Sequence, residues 1–130
     1  MDDDGLIAGF DGKKYLSIET YRKSGKAVRT PVWFVESNAA LYIRTATSAG
    51  KYKRIRNNPS VRIAPCDMRG NVKGEWVQAK AARATDAEAA EAYRLLRKKY
   101  GLLYSLTTAF MRKDFAVLKV TTGVASDRAE

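Results

Sequence analysis

Ser48, Ala49, Gly50 and Lys51, followed by Lys53 and Arg54, form the run whose residue types and spacing best suit anion chemistry. They stand where an alternating apolar strand stops and a short helix is expected to begin, with Ser48 in the N-cap position. A helix start already carries partial positive charge, so cations loaded into its first turns break a local rule. A negative partner resolves the conflict. Free backbone N–H groups, small residues that permit close approach and a lysine together make a phosphate site. The same long side chains equally suit a face that splays into water.

Other chemistry is scarce. The chain has no histidine, which removes a Ser-His-Asp or Cys-His engine and any histidine-ligated zinc centre. Its one cysteine, Cys66, excludes an intrachain disulfide and a multi-cysteine metal site. With no histidine to activate it, Cys66 reads as a packed side chain. Glu75 and Asp114 lack an acidic partner at a useful spacing, so paired-carboxylate catalysis is not expected. No catalytic side chain and no metal ligand is assigned. An enzyme of this composition needs a bound cofactor to do its chemistry.

The elements that must position the basic run are legible as periodicity. Tyr15 to Tyr21 alternates Leu16, Ile18 and Thr20 against Tyr15, Ser17, Glu19 and Tyr21. Arg22 to Lys26 is a turn in which Gly25 is free to take positive φ. Val28, Thr30, Val32 and Phe34, then Leu41, Ile43 and Thr45, mark two further strands joined by a Glu36-Ser37-Asn38 turn. Pro31 lacks an N–H, so it must stand at an edge, a bulge or an opening of the sheet. Asn57-Asn58-Pro59 ends the basic helix. Strands follow at Val61 to Ala64 and Glu75 to Ala84, the first closed by Pro65-Cys66-Asp67, with a loop of two glycines between them.

Thr85-Asp86-Ala87-Glu88 is a capping-box sequence, Ala89, Tyr93, Leu96 and Tyr100 form an apolar stripe, and Gly101 is a natural helix stop. Arg94, Arg97, Lys98 and Lys99 read as a solvated helix end. Leu102 to Phe110 is a second short helix or an extended connector, and Ala116 to Thr121 a last strand. Mostly consecutive strands, about six, with two or three helices, suit a mainly β, antiparallel small barrel with helices packed outside. The 130 residues are read as one domain, 1–130.

A formal charge of +10 calls for a partner: nucleic acid, an anionic membrane surface or a phosphorylated cofactor. Basic residues interleave with Tyr15, Tyr21, Trp33, Tyr42 and Tyr52, which could stack single-stranded nucleic acid. No RNP-type aromatic pair or helix-turn-helix spacing accompanies them, so that reading ranks low. Trp76 suits the core and a pocket wall equally. There is no run of eighteen apolar residues and no leader-like start, so no membrane span and a cytoplasmic location are expected.

YLSIETYRKSGKAVRTPVWFV (15–35), LYIRTATSAGKYKRIRNNPSVRIAPCDMRG (41–70) and VQAKAAR (77–83) resemble the pyridoxamine 5′-phosphate oxidase-like, FMN-binding split β-barrel family. Within it they are most similar to the subgroup of F420-dependent enzymes. The resemblance implies a six-stranded split barrel and a homodimer with two cofactor sites at its interface. It implies that Arg29, Thr30, Pro31, Val32 and Trp33 line a flavin or deazaflavin ring. Arg44, Thr45, Ser48 and Lys51, helped by Lys53, would then hold the phosphate. Trp76 would approach from the other subunit. The resemblance favours F420 over FMN, and Lys53, Arg54 and Arg56 could line a groove for its phosphate-linked oligoglutamate tail. The activity implied is hydride transfer between the cofactor and a small organic substrate. Two rivals stand: a non-catalytic barrel that stores flavin, haem or another anion, and a nucleic-acid module.

Overall fold

A computed structural model describes residues 9–110 and 114–122. Its elements in chain order are β1 (Tyr15–Tyr21), β2 (Ala27–Val32), β3 (Val35–Ser37), β4 (Ala40–Ala46), α1 (Gly50–Asn57), β5 (Ser60–Cys66), β6 (Val77–Arg83), α2 (Asp86–Phe110) and β7 (Phe115–Thr121). The strands form one antiparallel sheet in the order β2-β1-β5-β6-β7-β4-β3, curled into a half-barrel. The split-barrel class is as expected, but with seven strands instead of six. The extra strand arises because the alternation of Val28 to Phe34 is not one strand. It breaks at Trp33-Phe34, and the chain resumes as β3.

The β3–β4 turn also lies further along than its polar residues imply. Glu36 and Ser37 pair with Leu41 and Ala40, and the two turn residues are Asn38 (φ 51°) and Ala39 (φ 63°). Two consecutive positive φ values are the signature of the type I′ hairpin turn, whose twist matches the flanking strands. Pro31 stands on β2, the outermost strand in the sheet order, where a missing N–H removes no ladder bond to a further strand. Strand β5 runs through Pro65 and Cys66 instead of stopping before them. Beyond it the 67–76 segment folds back, with Lys73 N–H donating to the Pro65 carbonyl at 2.7 Å.

Register divides the sheet into two faces. Leu16, Ile18, Ile43, Ile63 and Leu118 point inward and build the barrel core, closed by Phe10, Tyr52 and Ile55. The opposite face of β3, β4 and β7 packs under α2 through Val35, Tyr42 and Val117 against Leu96, Tyr100 and Tyr104. Helix α2 starts as its sequence dictates. Thr85 N–H donates to Glu88 Oε1 at 2.9 Å, and Glu88 N–H donates to Thr85 Oγ1 at 3.2 Å. Gly101 interrupts it with φ 57° and ψ −126°, and the chain returns to helix beyond. Leu102 to Phe110 is therefore helical, not extended.

Candidate anion and cofactor site

Helix α1 begins two residues after Ser48. Ala49 N–H donates to the Ala46 carbonyl at 3.0 Å, a tight turn that leaves Ala49 in the N-cap position with extended backbone. No side chain caps the helix, and its first turn holds no acid. Ser48, expected to cap, instead lies exposed in the preceding turn. The first N–H groups of α1 are thus left to solvent or to a ligand.

Three basic side chains cluster there. Lys51 is partly buried, and its pKa is lowered, first by burial and then by the charge of Arg54. Arg54 reaches back from the next turn, donating from Nε to Thr20 Oγ1 at 2.7 Å. Its guanidinium lies so close to Gly50 that a Cβ there would sit 2.7 Å from Nη1. Lys53 is exposed. Tyr52 and Ile55, on the other side of the short helix, anchor it in the barrel core.

The remaining expected residues fall into separate groups. On β4, Arg44 and Thr45 point to opposite faces, as neighbours in a strand must. Arg44 is held between the rings of Phe115 (4.5 Å) and Tyr104 (4.8 Å), beneath α2. Thr45 is buried. On β2, Thr30 and Val32 pair with Ile18 and Leu16, while Arg29 and Pro31 pair with Glu19 and Ser17 on the outer face. Trp33 lies parallel to Tyr100, 4.3 Å between centroids and 8° between planes, which fixes it under α2.

Trp76 and Arg29 are brought together by a carboxylate that sequence reasoning left unassigned. Glu19, 2% exposed, accepts from Arg62 Nε at 2.7 Å, Arg29 Nε at 2.8 Å and Tyr21 Oη at 2.6 Å. The Arg62 bond is the chief cause that lowers its pKa to about 2, against the opposing push of burial. Both guanidinium groups stack on Trp76, Arg29 at 4.5 Å and Arg62 at 5.0 Å. The only signal in the sequence was an acid within an otherwise half-apolar strand. Its partners become visible only through register, which sets Arg29 and Arg62 opposite Glu19 on either side.

Lys99 corrects a second reading. It is not a merely solvated helix-end charge: its Nζ donates to the Phe34 carbonyl at 2.9 Å and lies 3.7 Å from the centre of the Phe34 ring. Cys66 is buried with its thiol pKa raised, chiefly by burial, in keeping with a packed cysteine. Among the described residues no helix is long and apolar enough to cross a membrane.

The family model for pyridoxamine 5′-phosphate oxidase matches residues 7–127. No curated protein matches the sequence. Among solved structures, ChuZ of Campylobacter jejuni superposes with a TM-score of 0.70 at 16% identity, over 93% of this chain and 52% of that one. The haem storage protein HutZ of Vibrio cholerae gives 0.69 at 15% identity, over 91% and 87% of the two chains. An F420 reductase gives 0.58 at 18% identity, over 88% and 90%. At such identities the likeness establishes the fold.

Proposed function

Because the chain belongs to the pyridoxamine 5′-phosphate oxidase family and its helix α1 opens on cations with no acid in its first turn, we propose that it is an oxidoreductase using F420, or alternatively FMN, to exchange hydride with an organic substrate. The isoalloxazine or deazaflavin ring supplies the hydride chemistry when bound. Everything else is placement by this chain's residues.

Lys51 carries the reading. It is a partly buried cation with a second cation beside it and no carboxylate partner among the described residues. An anion at the open start of α1 relieves both strains, through charge-assisted bonds from Lys51 and backbone N–H groups. Arg54 raises the local potential, and exposed Lys53 extends it toward an anionic tail. Exposed Ser48 joins the phosphate end, while Arg44, held between rings beneath α2, and buried Thr45 support it from within β4. Arg29, Thr30, Pro31, Val32 and Trp33, with Trp76, make the ring end of a site shared by two copies of the chain. Arg29 is tied to Glu19, so its part is that of a fixed wall and not of a free cation.

Haem storage by an imidazole-ligated iron is disfavoured by composition, since the chain has no histidine. The test is a parallel fluorescence titration of F420 and FMN with purified protein and with Lys51→Ala. F420 is expected to bind more tightly than FMN. Lys51→Ala should weaken binding about 10- to 100-fold, the range for one charge-assisted bond. Its melting temperature should stay within about 4 °C of the parent, a shift of at most about 1 kcal/mol. Binding of neither cofactor would overturn the proposal, and a nucleic-acid affinity that falls steeply with salt would replace it.

A further inference from the structure

The amine of Lys99 stands at a cavity to which no cofactor-site residue contributes. The cavity is about 460 Å³, with apolar walls from Phe10, Phe34, Val35 and Leu95. Phe10 and Phe34 are each 2% exposed and meet edge to face, 6.0 Å between centroids. The Phe34 carbonyl is the one hydrogen-bond partner of Lys99 among the described residues. Asp11 from the N-terminal segment and Glu36 from β3 face the amine and favour its charge, but neither forms an ion pair with it. Lys98 lines the same cavity.

We propose that Lys99 is a carbonyl-condensation site, whose amine captures small aromatic aldehydes as an imine inside this cavity. The nitrogen lone pair attacks the carbonyl carbon, forming the C–N bond while the oxygen takes a proton. The carbinolamine then loses water, carrying away that oxygen, and leaves a C=N bond with no change in redox state. The apolar walls suit an aromatic body. One N–H of the neutral amine can stay on the Phe34 carbonyl during attack and so fix the nitrogen.

Burial pushes the Lys99 pKa down to about 8, against the opposing pull of Asp11 and Glu36. At pH 7 such a lysine is about 10% free amine, against about 0.03% for an ordinary one. Lower basicity gives back about half of that gain on a logarithmic scale, so an advantage of about tenfold remains.

The experiment incubates the full chain with benzaldehyde and cyanoborohydride at pH 7, which reduces the imine to a stable secondary amine, followed by peptide mass mapping. Lys99 should be labelled at least about tenfold faster than Lys53 or Lys98, with half-maximal rate near pH 8 and no adduct at that position in Lys99→Arg. Leu95→Trp, which fills the cavity and keeps the amine, should slow the labelling. Equal labelling of Lys99 and Lys53 would overturn the proposal, as would a folded Leu95→Trp that reacts at the parental rate. If Leu95→Trp fails to fold, the selectivity of the parent chain alone decides.

Discussion

Glu19 is buried yet charged because its two oxygens accept from Arg62, Tyr21 and Arg29, with Arg62 the strongest influence. Its pKa is held at about 2 against an ordinary 4.5, so the folded state releases this proton more readily than the unfolded chain. The resulting stabilisation is complete above about pH 4.5 and is lost as pH falls toward 2. Its size is about 2 kcal/mol, after discounting for solvent around the partly exposed arginines. Glu19→Gln should therefore lower the urea midpoint at pH 7, and the gap to the parent should close between pH 4.5 and 2. A gap that persists unchanged at pH 2 would show that lost packing, not lost charge, was measured. Lys51 and Lys99 show the converse, since both are partly desolvated without a carboxylate at ion-pair distance among the described residues, and burial moves both pKa values down. Sequence made the Lys51 region legible because helix-end electrostatics is local. Glu19 and Lys99 escaped because the arginines that pair with the one and the carbonyl that holds the other lie ten to sixty-five residues away in sequence.

Elements were read best where their signals were short-range. The capping box of α2 and its apolar stripe are properties of neighbouring residues, and both formed as read. The break between β2 and β3 could not be read in that way. Alternation runs unbroken through Trp33 and Phe34, and only Tyr100, sixty-six residues on, shows why the ladder stops. Its hydroxyl accepts from Phe34 N–H at 3.0 Å and donates to the Lys14 carbonyl at 2.8 Å, while its ring stacks on Trp33. One side chain thus ties α2 to the approach to β1 and to the start of β3. Tyr100→Phe keeps the ring but leaves the buried Phe34 N–H without its acceptor, at a cost of about 1–3 kcal/mol. Chemical denaturation should show that loss, and amide exchange should quicken first at Phe34 and Val35. Uniform acceleration across the sheet would mean that Tyr100 supports global packing and not this junction. The α1 cap was misread for a related reason, because Ser48 has the right chemistry but the Ala46–Ala49 turn shifts the helix start beyond it.

At the scale of the whole molecule, the expected cofactor residues do not converge within one chain. Lys51 and Arg54 gather at the start of α1, Arg29 and Trp76 lie on the outer face of the sheet, and Trp33 is held under α2. A site built from all of them requires a second copy, and cofactor binding is then linked to association. Free cofactor at a hundredfold over its dissociation constant stabilises the bound form by about 2.7 kcal/mol per site. The dimer dissociation constant should therefore fall at least about a hundredfold in sedimentation velocity across a dilution series. Salt separates this linkage from simple charge effects. Each copy carries +10, so added salt screens the repulsion between copies and favours the dimer, while it weakens capture of an anionic phosphate. Bound anions neutralise the same repulsion, so the cofactor should promote association most at low ionic strength and progressively less as salt rises. Cofactor bound with unchanged affinity at concentrations where the chain is monomeric would place the whole site within one copy, and the shared architecture would fall with it.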